Sequence, residues 1–407
     1  MKKLLVIGYV WPEPNSSAAG RYMLNLLHFF IKLDYKIIFA SPAAESDHRY
    51  PFEQLGIDKA EIKLNSSCFD DFITKLKPDV VLFDRFMMEE QFGWRVAKHC
   101  PKAIRMLDLE DLQSLRKARK TALKQQREAD FSDFQSDIGL REIAAIWRVD
   151  LAFVISRYEM SLLINEFNLP EQKLFYLPFT LEKVPALSAL VSFEQKQDFI
   201  CIGNFRHEPN WDAVLYLKEH IWPKIRAQLK TAQLHIYGAY PPKKATQLHN
   251  EKQGFLVKGW AEDAMKVMQQ AKICLAPLRF GAGLKGKLFE AMLAGTPSVT
   301  TSIGAEAMSA ELPWPGAIYD DVDKFANAAV QLYQDETQFR ACQAQGLDIL
   351  ATEYLSQAYF SQFEAKLEHL AEQLTQHRAN NFIGNMLMHH SMKSTQYMAQ
   401  WIEAKNK

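Results

Sequence analysis

The sequence predicts an α/β protein made of two doubly wound parallel sheets facing a central cleft, with helices completing the chain. Three observations predict it. Short aliphatic or β-branched runs alternate with longer stretches of helical period, as in parallel sheets covered on both faces. The alternation breaks once, over residues 181–197, where Pro185, small residues and charges interrupt it before it resumes. The length, 407 residues, also exceeds one ordinary core and suits two.

In the first half the expected strands are 4–8, 36–40, 61–64, 79–83, 103–107 and 151–155. The helix after the first strand spaces Met23, Leu27, Phe30 and Ile31 by three and four residues, with Ser16 or Ser17 as its cap. The second half repeats the pattern, with strands 199–203, 234–238, 255–258, 273–276 and 298–300 and helices over 211–229 and 287–294. From about Asp348 the chain reads as helical and polar. The expected organisation is a Rossmann-like domain over 1–185, a second over 186–347, and a helical segment over 348–407, part of it packing back on the first domain. Open α/β sheets bind ligands at the carboxyl ends of their strands, which places the expected site in the cleft.

Lys plus Arg equals Asp plus Glu at 48 each, which excludes any whole-chain attraction to nucleic acid or an anionic surface. No run approaches the ~20 apolar residues that span a bilayer. The five cysteines, Cys68, Cys100, Cys201, Cys274 and Cys342, lack CxxC spacing and read as reduced core residues of a cytoplasmic protein. No metal is expected: His389 and His390 lie in the tail, and Asp321 and Asp323 on a surface helix.

The most informative stretch is Ile273 to Pro297, read as strand, glycine-rich loop, helix and stop. Gly281, Gly283 and Gly286 let the backbone approach a ligand, and the helix start they lead into offers free N–H groups and a positive dipole end. A diphosphate suits that place. Lys285 and Lys287 add cations, and Glu290, one turn further, can accept from ribose hydroxyls. A packing loop with Lys287 and Glu290 as an i,i+3 surface pair is the simpler reading of the same residues.

The run Ala276-Pro277, the glycine turn, Lys287-Leu288-Phe289-Glu290-Ala291-Met292, Gly295-Thr296-Pro297 and Gly304-Ala305-Glu306 resembles the nucleotide-sugar signature of family-4, or group 1, retaining glycosyltransferases of GT-B fold. The likeness continues upstream through Phe199 to Phe205, Pro209-Asn210, Leu234 to Gly238 and Val257 to Trp260. It implies a donor domain whose nucleotide-diphosphate sugar meets Gly203, Asn204, Gly281, Gly283, Leu284, Lys287 and Glu290. Arg206 or His207 would face the phosphates, with Arg206 and Lys285 as the catalytic cations. The family often has two glutamates seven residues apart; Glu290 matches the second, while the first falls on Ala282.

The first half matches the family more loosely. Gly20 and Arg21 follow the first strand where relatives have a loop near acceptor and phosphates. Asp108 stands near the place of a sugar-contacting histidine and is the candidate for orienting a sugar hydroxyl, while Asp111 can cap the next helix. Ser156 and Glu159 read as scaffold. The segment 114–127 holds Arg116, Lys117, Arg119, Lys120, Lys124 and Arg127 with no acid between them. It is the expected contact for an anionic acceptor or for the inner face of a membrane, unless it is only a solvated helix face.

The resemblance thus implies sugar transfer with retention, without a metal or other cofactor, to an acceptor glycan, lipid-linked sugar, protein or RNA. Two other readings remain: a non-catalytic nucleotide-sugar or carbohydrate-binding protein on the same scaffold, to which Ala282 lends weight, and a sugar-nucleotide epimerase.

Overall fold

The computed structural model describes residues 1–406, except the side chains of His390, Ser391 and Met392. The first sheet contains β1 (Lys2–Ile7), β2 (Tyr35–Ser41), β3 (Asp58–Glu61), β4 (Val80–Asp84), β5 (Ile104–Asp108), β6 (Leu151–Val154) and β7 (Leu174–Tyr176). Their order is β3-β2-β1-β4-β5-β6-β7 and every pair is parallel. Helices α1 (Ala18–Lys32), α2 (Cys68–Leu76), α3 (Phe86–His99), α4 (Gln113–Lys124), α5 (Asp137–Arg148) and α6 (Arg157–Asn165) belong to this half. Successive residues of β1 serve opposite faces, Leu4 and Val6 entering one apolar layer and Leu5 and Ile7 the other.

The second sheet contains β8 (Gln197–Ile202), β9 (Leu234–Tyr237), β10 (Phe255–Gly259), β11 (Ala271–Ala276), β12 (Ser298–Thr300) and β13 (Gly316–Ile318), in the parallel order β10-β9-β8-β11-β12-β13. Around it lie α7 (Glu208–Tyr216), α8 (Trp222–Gln228), α9 (Lys243–Thr246), α10 (Ala264–Gln270), α11 (Gly286–Leu293), α12 (Ser302–Ala305), α13 (Val322–Gln334) and α14 (Glu336–Glu353). Strand order reverses between β1 and β4 and again between β8 and β11. These switch points open crevices at the carboxyl ends of the strands.

Several expectations shift. β3 pairs with β2 from Ile38↔Asp58 to Ser41↔Glu61, three residues before the expected strand, because it is a polar edge strand rather than an apolar one. β7 and β13 are three-residue edge strands, too short for an alternation signal. The helix expected over 211–229 is α7 and α8 joined by a π-helical turn at Leu217–Ile221, directly before Pro223, which has no N–H to continue the ladder. Cys201, Cys274 and Cys342 are buried, but Cys68 is exposed and Cys100 half-buried. Ser17, not Ser16, caps α1 by accepting from Gly20 N.

Residue 348 lies inside α14, whose Phe339 and Cys342 join the core of the second half. The chain then returns to the first half. Leu181 and Leu355 form a β-bridge, and α15 (Ser356–Ala379) sets Phe363 against the rings of Phe29, Phe30, Phe153 and Phe175 at 5.3–6.5 Å. α16 (Phe382–Lys405) completes the chain over α3 and α5. Among the described residues, no helix is long and apolar enough to cross a membrane.

Arg378 fastens α15. Its fork grips buried Asp150 at 2.8 and 2.6 Å, and it also donates to the carbonyls of Pro101 and Ala103. Burial alone would raise the Asp150 pKa, but Arg378 and Arg105 hold it below the ordinary value. Arg378→Ala is expected to cost about 3 kcal/mol, because it strips most of the compensation from a buried charge. A urea melt of the full chain with an unchanged midpoint would refute this.

Candidate active site in the cleft

The glycine loop between β11 and α11 does not hang free in the second half. Ala282 packs into one apolar layer of the first half, and Leu284 joins the layer that runs from β1 through Leu288, Phe289 and Met292 of α11. Leu284, expected to meet the donor, is therefore a buried anchor with its side chain turned away. Ala282, at the place of the family's first glutamate, is buried in its apolar layer.

Gly283 has φ +60°, and a side chain on it would meet Asp111 Cβ at 2.9 Å and Ile155 at 3.1 Å. Both its conformation and its contact with the first half demand glycine. Its N–H donates to Glu159 Oε1 at 2.7 Å, and its carbonyl accepts from Lys285 Nζ at 2.6 Å. At Gly281 a Cβ would make only ordinary contacts, so that position is not sterically restricted.

At the end of the loop, α11 begins at Gly286, where an added Cβ would lie 2.2 Å from Cβ of Ala18, the first residue of α1. Two helix N-termini thus abut across the cleft, and both direct positive dipole ends and free N–H groups toward it. Arg21, one turn into α1, pairs with Glu290 on α11 at 3.0 Å, closing the cleft on that side. Burial raises the Glu290 pKa against the opposing effect of Arg21 and Lys287. Glu290, expected to stand ready for a ribose, instead holds Arg21 in this conformation.

Lys285 is buried, and desolvation brings its pKa down to about 8 despite nearby Glu306 and Glu159. Lys287 donates to Asn210 Oδ1 at 2.7 Å, and Asn210 donates to the carbonyl of Asn204 at 3.0 Å. A Cβ on Gly203 would strike Asn210 at 2.6 Å, so Gly203, Asn204, Asn210 and Lys287 form one unit at the second switch point. Arg206 donates its backbone N–H to Asn204 Oδ1 at 2.9 Å, but its side chain turns to Tyr240. Its guanidinium stacks on Tyr240 at 3.6 Å, and the Tyr240 hydroxyl donates to Glu13 of the first half at 2.9 Å. Arg206 thus stands on the loop after β8, as expected, with an exposed side chain. Gly20 is also explained by packing: the backbone of Glu13 fills the space a side chain would take.

The cationic segment is corrected most. Arg116 pairs with Asp111, Arg119 with Glu306, Lys120 with Glu208 and Arg127 with Asp133. Glu306 and Glu208 lie in the second half, so Arg119 and Lys120 clasp it across the cleft, while Lys117 and Lys124 are exposed. Asp111 pairs rather than caps; Leu112 holds the cap position of α4.

Glu159, read from sequence as scaffold, bridges the halves, its Oε1 also accepting from Leu112 N at 3.1 Å. Burial, then Asp111, raises its pKa to about 8. Neither local spacing nor composition marks it.

Asp108 ends β5 beside Asp84, which ends β4. With Glu110 they form, among the described residues, the one group spaced to hold a cation, with oxygens within 4.8 Å of one another. The sequence reading did not anticipate this grouping. The Arg85 guanidinium already lies among them, 2.8 Å from Glu110 and 3.8 Å from Asp84. Asp321 accepts from Lys324 N as the cap of α13, and the side chain of His390 lies outside the described residues. A separate cavity of about 700 Å³, lined by Arg157, Tyr176, Leu355 and Tyr359, shares no residue with the glycine loop.

Two Rossmann-like halves with parallel sheets facing a cleft define a GT-B fold, and comparisons agree with it. Residues 196–335, about a third of the chain, match the family model described as glycosyl transferases group 1. Sucrose-phosphate synthase from Thermosynechococcus elongatus is similar at 14% identity and a TM-score of 0.66, over 91% of this chain and 99% of that one. A variant of S. aureus TarM, solved with fondaparinux, α-GlcNAc-glycerol and UDP, is 10% identical with a TM-score of 0.69, covering 90% and 99%. HepE of Anabaena, solved with UDP and glucose, is 12% identical with a TM-score of 0.65, covering 90% and 100%. No curated protein matches the chain by sequence.

Burial, then Glu110 and Asp84, pushes the Asp108 carboxyl well up, and burial raises Glu110 to about 7. Folding therefore retains protons that the unfolded chain has released. The associated stability is complete below the unfolded pKa values near 4 and is lost as pH rises through the folded ones, up to about 7 for Glu110. Asp108→Asn should flatten the fall in stability between pH 5 and 8 by up to about 1.4 kcal/mol per pH unit for one retained proton. Denaturant melts across that range that superimpose on wild type would contradict the assignment.

Proposed function

We propose that the chain is a glycosyltransferase that moves a hexosyl group from a nucleoside-diphosphate sugar to an acceptor hydroxyl, with retention of configuration and without a metal. The observation that carries this reading is the junction of α1 and α11, where two helix N-termini, Arg21, Lys285 and Lys287 gather positive potential at the strand ends of both sheets. A diphosphate suits such a junction. The family match over 196–335 and the UDP bound by TarM and HepE support the same reading and make UDP-sugars the first probes.

In this mechanism Arg21 exchanges Glu290 for a phosphate oxygen, which leaves Glu290 available to the ribose. The bond from the anomeric carbon to the diphosphate oxygen breaks while the acceptor oxygen attacks on the same face. The acceptor proton passes to the departing phosphate, and Lys285 with the α11 N-terminus stabilises the charge that develops there. Asp108 and the neighbouring carboxyls, at the strand ends of the first half, orient hydroxyls of the transferred sugar. The glycan-type ligands solved with TarM and HepE make a glycan or lipid-linked sugar the first acceptor class to test. Five free cysteines fit a reducing cytoplasmic setting.

Thermal shift with nucleoside-diphosphate sugars should identify the donor, and a ligand at 100 times its Kd should stabilise by about 2.7 kcal/mol. Binding should survive EDTA, Lys285→Ala should lower kcat about 10²-fold, and NMR of the product should show the donor's anomeric configuration. An absolute magnesium requirement, or an inverted product, would defeat the respective part of the mechanism.

A further inference from the structure

The glycine loop is held at both ends by side chains from the other half of the molecule. Arg119, in the middle of α4, donates Nη1 to the carbonyl of Gly281 at 3.0 Å. The same guanidinium forks onto Glu306, at 2.9 Å to Oε2 and 2.6 Å to Oε1, and lies over the Tyr158 ring at 5.0 Å. Two residues on, Gly283 N–H donates to Glu159, the carboxylate that also accepts from Leu112 N, the cap residue of α4. The first half thus supplies a cation for the loop's first carbonyl and a carboxylate for its central N–H. Within this span the second half adds the Lys285 bond to the Gly283 carbonyl.

The geometry has a directional consequence. Arg119 is largely buried, and Glu306 with it; an Arg fork satisfied by a carboxylate and a carbonyl fixes position in a way that a mobile surface pair does not. If the first half withdraws, the Gly281 carbonyl loses Arg119 of α4 and the Gly283 N–H loses Glu159 of α6 together, while the Lys285 bond to the Gly283 carbonyl stays within the second half. The left-handed turn at Gly283 is then free to relax, and with it the start of α11.

We propose that Arg119 is a positioning residue for the donor loop, acting with Glu159 so that the loop takes its ligand-ready shape only when the two halves are closed. This rests on the loop being the diphosphate site, but its first test does not. Donor affinity and closure are then one coupled equilibrium, in which nucleotide sugar favours the closed form because only that form presents the organised loop.

The experiment is amide hydrogen exchange on the full, nucleotide-free chain, followed in peptides spanning residues 278–289, for wild type, Arg119→Ala and Arg119→Lys, together with donor kinetics. Arg119→Ala should speed exchange in these peptides about tenfold or more, as loss of a charge-assisted hydrogen bond implies, while peptides from β4 and β5 keep their rates. The donor KM should rise about tenfold, with a smaller change in kcat, and Arg119→Lys should fall between the two because it keeps the charge without the planar fork. Should Arg119→Ala fail to fold, Glu306→Gln, which retains volume and weakens the same fork, gives the same readings. Unchanged loop exchange in a folded variant would overturn the proposal, as would an effect confined to the melting temperature. Faster loop exchange in a chain whose wild type binds no nucleotide sugar would uphold the positioning and overturn only the donor reading.

Discussion

The rest of the site depends on one contact, the approach of Gly286 to Ala18. Two helices that begin against each other bring together two positive dipole ends and two sets of unbonded N–H groups, an arrangement that repels itself unless negative charge is supplied. In the free molecule the Arg21–Glu290 pair and the burial of Lys285 among Glu306 and Glu159 moderate that repulsion. A bound diphosphate would relieve it more fully. The same contact explains why glycine is required at 286, why α4 lies within reach of Glu208 and Glu306, and why Leu284 can enter a core shared by both halves.

Closure also sets the electrostatics. Lys285, Glu159 and Glu110 all lie where water is sparse, and burial drives each toward its neutral form, the lysine down to about 8, Glu159 up to about 8 and Glu110 up to about 7. The cleft is spanned by polar pairs, Arg21 with Glu290 on one side and Gly283 with Glu159 on the other. The fixed parts, the apolar anchors Ala282 and Leu284, do not change partners.

What was legible in the sequence follows from the range of the interactions. Strands with apolar alternation, the Ser17 cap and the run from Ala276 to Pro297 are local patterns, and the structure places each at or within a few residues of its expected position. β7 and β13 are too short to carry a pattern. Arg119 with Glu306, and Glu159 with Gly283, join residues 187 and 124 positions apart, so nothing local marks them. For that reason a run of cations read as one surface supplies, at Arg119 and Lys120, two clasps to the second half. Arg206 followed the reverse course: its place after β8 suited a phosphate, but Tyr240 and Glu13 give it a stacking partner at the rim. Leu284 and Gly20 were read as ligand-facing from the family resemblance, whereas Leu284 packs into a layer shared by both halves and Gly20 against the backbone of Glu13.

The most direct test of the account is the affinity of the full chain for its nucleoside-diphosphate sugar, measured by calorimetry in wild type, Gly286→Ala and the double variant Gly286→Ala with Ala18→Gly. An added methyl at 286 has no room while Ala18 keeps its own, and removing the methyl from Ala18 restores the space. If the donor site exists only where the two helix starts abut, the single variant should lose about tenfold or more in affinity, on the order of 1.4 kcal/mol, and the double variant should recover most of it. A Gly286→Ala chain that binds the donor as tightly as wild type would contradict the account at its base.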